Sequence, residues 1–186
     1  MKYQNKMTRI FIIGYMGAGK TTVGKKLAKR LSLTFVDLDA YIQSRHYKTI
    51  PELFAEKGEE GFREIEHQAL CEVANFENIV ISTGGGTPCF FDNMDIMNRS
   101  GTTVYIESAA ELLVERLLMA KSVRPLVVGK SEEELLSFVS AHLAERESFY
   151  RKAKVIYRAN QMLTKEEINL TVEGVEKLLQ TSKPHE

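Results

Sequence analysis

Five short apolar runs recur along the chain: RIFIIG at 9–14, TFVDLD at 34–39, NIVIST at 78–83, TTVYIE at 102–107 and KVIYRA at 154–159. They are apolar continuously rather than at alternate positions. That pattern predicts strands covered on both faces, as in a parallel sheet. The segments between them carry helical spacing. Val23, Leu27 and Leu31 step by four and predict one apolar stripe. Four helix starts place Ser or Thr three residues before Glu: Thr49/Glu52, Ser108/Glu111, Ser131/Glu134 and Thr164/Glu167. Alternating strand and helix predicts a three-layer α/β/α fold built on an open parallel sheet with right-handed crossovers. Two stretches exceed the simplest alternation. Residues 40–77 give at least two helical pieces. Residues 118–132, LMAKSVRPLVVGKSE, are basic and punctuated by Pro and Gly, as lids and substrate-binding insertions often are.

Composition narrows the class. The chain has 186 residues, 44% hydrophobic and 27% charged, which suits one globular domain with an ordinary core. Lys plus Arg and Asp plus Glu are each 25, so nothing in the balance favours nucleic acid or an anionic membrane as a partner. Cys71 and Cys89 have neither CxxC spacing nor a nearby His pair and read as reduced thiols. The start MKYQNKMTRIF is too short and polar for a signal peptide, and no apolar run approaches ~18 residues. These features predict a soluble cytoplasmic protein, and the lack of heptads or an obvious apolar patch favours a monomer.

The strongest chemical signal is IFIIGYMGAGKTTVGKKLA. It contains G-x-x-x-x-G-K-T as Gly14, Gly19, Lys20 and Thr21, after an apolar strand and before an amphipathic helix. Glycines let backbone N–H groups, including those of Gly17 and Ala18, curl around a phosphate, and the helix N-terminus adds positive potential. Lys20 then reaches the β- and γ-phosphates, and the Thr21 hydroxyl suits Mg²⁺. No N-K-x-D base-reading motif is present, so a small-molecule kinase is favoured over a GTPase.

Other residues suggest where an acceptor would sit. Asp37 and Asp39 lie two apart, which on a strand end would point them to one side. Asp37 could order Mg²⁺ through water, and Asp39 could accept a proton from a hydroxyl or merely cap a helix starting at Ala40. Arg63 and Glu66 are i, i+3 neighbours, either a surface ion pair or an arginine fork held ready for a carboxylate. Gly84, Gly85 and Gly86 end the third apolar run, where bare backbone could lie against a ligand beyond the carboxyl ends of the strands. Arg124, before Pro125, could close over the γ-phosphate. Arg146 and Tyr150 are i, i+4, and a solvated helix face is the commoner fate of such an arginine.

Taken together, GYMGAGKTT, DLD at 37–39, FREIE at 62–66, STGGG at 82–86, RPL at 124–126 and RESFY at 146–150 resemble the shikimate kinase family in order and spacing over nearly the whole chain. The resemblance implies a nucleoside-monophosphate-kinase-like P-loop fold with a five-stranded parallel sheet ordered 2-3-1-4-5. It implies a shikimate-binding insertion at about 40–67 and a lid at about 118–132. It implies Mg²⁺-dependent transfer of the ATP γ-phosphoryl group to the 3-hydroxyl of shikimate, on the route to chorismate. The catalytic set would be Lys20, Asp39 and Arg124. Nucleotide contacts would come from Gly17, Ala18, Gly19, Lys20, Thr21, Thr22, Arg116 and Arg124. Asp39, Arg63, Gly84, Gly85, Gly86 and Arg146 would hold shikimate, with Thr21 and Asp37 serving the metal. Similar enzymes usually carry an arginine seven residues before the lid arginine, where this chain has Leu117. Arg116 is therefore expected to stack on adenine, with the backbone of Asn160 to Met162 on the other side. A side chain at Gly85 is expected to fill space meant for the shikimate ring. Residues before Met7 and the tail from Thr181 lie outside the resemblance and are expected to fray.

Two other readings remain at this stage: a gluconate- or nucleotide-type kinase on the same fold, and a nucleotide-binding regulator without turnover. The first lacks this combination of arginines and glycines. The second should have lost Lys20, Asp39 or the arginines, and all are present.

Overall fold

A computed structural model describes residues 8–119 and 129–181. Five parallel strands form one sheet: β1 (Arg9–Ile13), β2 (Thr34–Asp37), β3 (Ile79–Ser82), β4 (Thr102–Glu107) and β5 (Val155–Arg158). Their spatial order is β2-β3-β1-β4-β5, as the resemblance implies. The register pairs Phe11 of β1 with Ile81 on one side and with Thr103 on the other.

The helices are α1 (Lys20–Leu31), α2 (Leu38–His46), α3 (Ile50–Val73), α4 (Asn93–Ser100), α5 (Ala110–Met119), α6 (Glu132–Tyr150) and α7 (Lys165–Thr181). They lie on both sides of the sheet. Ile10, Phe11, Ile12 and Ile13 are consequently all buried, which explains why the first run is apolar without alternation. The outer strands differ. β2 is an edge strand with Thr34 exposed and the rest half-buried, and β5 ends in exposed Arg158. The expectation of full burial therefore holds for the inner strands and fails at the edges, where one side has no neighbour.

The predicted helix of Val23, Leu27 and Leu31 is α1, with all three buried. Residues 40–77 do hold two helices, and the second is bent. Gly58 inside α3 sits at φ 69°, ψ −176°, a conformation open to glycine and strained for other residues. Phe54 and Phe62 stack across the bend with centroids 4.2 Å apart.

Three of the four predicted capping boxes form. Thr49/Glu52 and Ser131/Glu134 are complete, and Thr164 and Glu167 exchange backbone–side-chain bonds of 3.0 and 3.2 Å. Ser108/Glu111 does not cap. α5 starts at Ala110, its first turn bonds Leu113 N–H to Ala109 O, and the Ser108 hydroxyl accepts from Arg116 Nη1. The expected fraying of the tail does not reach Thr181, which is helical.

Candidate active site

The loop between β1 and α1 curls because Gly14, Gly17 and Gly19 adopt φ values of 143°, 81° and 83°. Such backbone turns successive N–H groups toward one point, just where α1 presents its N-terminus. Lys20 opens α1, and its Nζ donates to Tyr15 O at 2.9 Å. Thr21 Oγ1 donates to Asp37 Oδ2 at 2.8 Å. These are two hard oxygen donors at one spot, which suits a Mg²⁺ that takes one or two protein oxygens and completes its shell with phosphate and water. A cleft of about 570 Å³ runs from this loop (Gly17, Gly19, Lys20, Thr21, Thr22) to Asp39, Gly84 and Gly85.

Asp37 and Asp39 reach the site by a route other than the expected one. β2 stops at Asp37, so the pair does not share a strand. Asp37 is itself the N-cap of α2, accepting from Ala40 N–H at 3.2 Å, while Asp39 stands in the helix's first turn. Capping therefore belongs to Asp37, and Asp39 is left for the cleft. Burial pushes the Asp39 carboxyl up to about 6. The negative charges of Asp37 and Glu66 add to this, and Lys20 and Arg63 oppose it.

The three glycines follow β3, held beside β1 by a bond from Thr83 N–H to Ile12 O. What matters here is the space they leave rather than backbone freedom. A β-carbon at Gly84 would come within 2.9 Å of Glu66 Oε1 and 3.3 Å of Asp39 Oδ1. At Gly85 it would meet Met16 N at 3.3 Å, Gly14 O at 3.5 Å and Arg146 Nη1 at 3.6 Å. At Gly86 it would meet the Arg63 guanidinium at 2.8–3.1 Å. In chain order the space a side chain would need at the glycines is therefore taken by Glu66, Thr87 and Asp39, then by the phosphate loop and Arg146, then by Arg63. A methyl at Gly85, which lines the cleft, would thus also press on the phosphate loop and Arg146.

Arg63 is held firmly. Its Nη1 donates to Glu66 Oε2 at 2.8 Å, Nη2 reaches Glu59 Oε1 at 3.5 Å, and the guanidinium lies 4.0 Å from the Phe90 ring centroid. Glu66 is 1% exposed, so the pair is no surface ion pair. Its other oxygen accepts from Thr87 Oγ1 at 2.5 Å, and Thr87 O accepts from Asn93 Nδ2. Arg63 Nε and Arg116 Nε are the two buried side-chain polar atoms without a hydrogen-bond partner among the described residues. Buried donors are rarely left so. Both belong to arginines that the sequence marks for ligand contact.

Arg116 reaches across the far end of the cleft, donating from Nη1 to Gly17 O at 3.4 Å and from Nη2 to Asn160 O at 2.6 Å. In this conformation Arg116 and Asn160 bond each other directly, where the sequence expectation set them on opposite faces of adenine. Leu117 is buried under the loop against Gly17. Arg116, Met119, Met162 and Leu163 line an adjoining cleft of about 370 Å³. Arg124 lies outside the described residues, as does most of the predicted lid.

Arg146 does not face solvent as an isolated helix-surface arginine would. Its Nη2 meets His142 Nε2 at 2.7 Å, and the guanidinium lies 5.7 Å from the Tyr15 ring centroid. Tyr150, one turn on, is fully buried and donates to Gly85 O at 2.6 Å. Sequence reasoning gave no role to Thr87, His142 or Tyr15. His142 stands at i−4 from Arg146, a spacing that places the two side chains together and could have drawn attention to it. Thr87 and Tyr15 carry no comparable signal.

The sequence model for shikimate kinase matches residues 16–177. A shikimate kinase of Parabacteroides distasonis is 52% identical over 173 residues, covering 93% of this chain and 100% of that protein. The crystal structure of shikimate kinase from Bacteroides thetaiotaomicron is 49% identical, with a TM-score of 0.91 over 94% of this chain and 99% of the other. Shikimate kinase from Acinetobacter baumannii, solved in complex with shikimate, is 32% identical with a TM-score of 0.83 over 97% of each chain.

Proposed function

The chain belongs to the shikimate kinase family and is an ATP-dependent shikimate kinase, and we propose that the residues around its phosphate loop divide the work of that reaction as follows. The N–H groups of Gly17 to Thr22 and the Lys20 ammonium hold the nucleotide's phosphates, and Arg116 with Met162 borders its base. Arg63 and Arg146 grip the carboxylate of shikimate. Asp39 accepts a hydrogen bond from the 3-hydroxyl and takes its proton as the oxygen–phosphorus bond forms and the bond to ADP breaks. Thr21 and Asp37 would hold Mg²⁺, which when bound supplies charge neutralisation between the phosphates. Arg124 adds positive charge over the transferring group. The protein acts as a cytoplasmic monomer.

The observation carrying this reading is the order of contacts along Gly84, Gly85 and Gly86, which sets a carboxylate and two arginines against the phosphate loop. A rigid anionic polyol needs that set: arginine forks for its carboxylate and one carboxylate for vicinal hydroxyls. Phosphoryl transfer asks little covalent help, so positioning and charge neutralisation dominate. A coupled ADP-release assay against shikimate, gluconate, CMP and AMP tests it. Turnover is expected with shikimate alone. Turnover with gluconate or a nucleotide and none with shikimate would overturn the reading.

A further inference from the structure

Arg146 is one of the two arginines proposed to bind the substrate carboxylate. Its own support is unusual. A guanidinium carries donors only. The His142 Nε2 that it meets at 2.7 Å must therefore be the acceptor. A neutral imidazole accepting at Nε2 carries its proton on Nδ1, and Nδ1 lies 3.0 Å from Tyr15 Oη. Tyr15 is buried within the phosphate loop, and its backbone oxygen accepts from Lys20 Nζ at 2.9 Å. Its ring meets that of His142 edge-on at 5.7 Å. One continuous chain of contacts thus runs from the phosphate-loop lysine, through both ends of Tyr15, across His142, to Arg146.

We propose that His142 is a positioning residue for the acceptor: held as the neutral Nδ1–H tautomer by Tyr15, it fixes the Arg146 guanidinium for the substrate carboxylate. The proposal rests on the role given to Arg146 under Proposed function. Arg146 can rotate about several bonds, and restricting it before substrate arrives removes an ordering cost from binding. A protonated His142 would present an N–H to a guanidinium and lose the bond.

The surroundings favour the neutral form. Arg146 is the cation in contact, and burial together with its charge holds the imidazole below its ordinary range. Glu145 on α6 and Glu59 on α3 oppose this as acidic neighbours, and Tyr15 faces it from the phosphate loop. Phe138 packs against its ring with centroids 5.3 Å apart, and Lys130 Nζ lies 5.3 Å from the Phe138 ring centroid. Acidification through and below the usual histidine range should therefore release Arg146.

Three variants and one spectrum test this. His142→Phe keeps the ring and removes the acceptor, whereas His142→Gln places an amide oxygen near the Nε2 position and cannot titrate. His142→Phe is expected to raise the shikimate KM about tenfold, the order of one charge-assisted hydrogen bond. Its kcat and ATP KM should change less than about twofold, since neither depends on where Arg146 waits. His142→Gln should recover most of that affinity. It should also flatten the rise in shikimate KM expected of the parent as pH falls through and below the usual histidine range. ¹⁵N NMR of the imidazole should report a protonated Nδ1 and bare Nε2 at neutral pH. Arg146→Ala separates the two layers of argument. Unchanged shikimate KM in Arg146→Ala would remove the carboxylate role itself. A raised KM there, with His142→Phe like the parent or an Nε2–H tautomer in the spectrum, would overturn the His142 proposal alone.

Discussion

Asp39 shows how a single carboxylate is left available for chemistry. Asp37, two residues earlier, takes the capping bond and the Thr21 hydroxyl, so Asp39 keeps its oxygens for the cleft at the expense of partial burial. Its raised pKa of about 6 has two consequences of opposite sign. For activity, kcat/KM for shikimate should fall as pH drops through about 6, because the protonated acid can no longer accept the hydroxyl proton. For stability, the native state binds the Asp39 proton more tightly than the unfolded chain does. Stability from this group is therefore fully present below the ordinary carboxylate range and lost as pH rises toward about 6. Asp39→Asn removes that strain. It should raise stability near neutral pH by about 1–3 kcal/mol while abolishing most turnover. A pH–rate profile and a denaturant titration check the two arms, and a destabilised Asp39→Asn would show that the site's charge does not oppose folding.

At the scale of elements, α3 and α6 deliver the arginines, and each does so through one local device. In α3 the device is the bend at Gly58, five residues before Arg63. A β-carbon at Gly58 would meet nothing within 4 Å, so only backbone conformation forbids one. Gly58→Ala should cost about 1–3 kcal/mol, or straighten the helix and carry Arg63 away from Phe90 and Gly86. Either way the shikimate KM should rise while the ATP KM holds. Equal stability with unchanged shikimate KM would show that the bend is incidental. In α6 the device is helical spacing. His142, Arg146 and Tyr150 fall on one face at four-residue steps, and that face meets Tyr15 and the backbone of Gly85. The Ser131/Glu134 box fixes where this helix starts and so where that face points.

Across the whole molecule, the sheet order places β1 between β3 and β4, so the phosphate loop leaves the sheet beside the glycines that follow β3. On the proposed reading, nucleotide and acceptor share one cleft at the carboxyl ends of the strands. Ligands that bind only the folded chain should stabilise it. Nucleotide at about 100 times its Kd should add about 2.7 kcal/mol, or roughly 5–10 °C in Tm for a domain of this size. A Tm unmoved by saturating nucleotide would contradict the cleft's assignment. Among the described residues no helix is long and apolar enough to cross a membrane.

Much of this was legible from residues alone. Continuous apolarity marks the inner strands because both faces of a parallel sheet are covered, and Gly14 to Thr21 mark a phosphate loop because that spacing brings backbone N–H groups and a lysine to the phosphates and a hydroxyl to their metal. Chain order could not say that β2 ends at Asp37, two residues before the apolar run does, that Asp37 rather than Asp39 caps α2, or that Ser108 serves Arg116 instead of a helix start. Each is a competition for one hydrogen bond, decided by which partner the packed fold brings near. The same holds for the glycines. Their spacing announced close approach, but only the tertiary structure showed that Asp39, Arg146 and Arg63 are what approach, because those side chains come from helices far apart in the chain. Thr87 escaped notice for that reason: its partners Glu66 and Asn93 are brought to it by the fold, whereas His142 left one local mark, its four-residue step to Arg146.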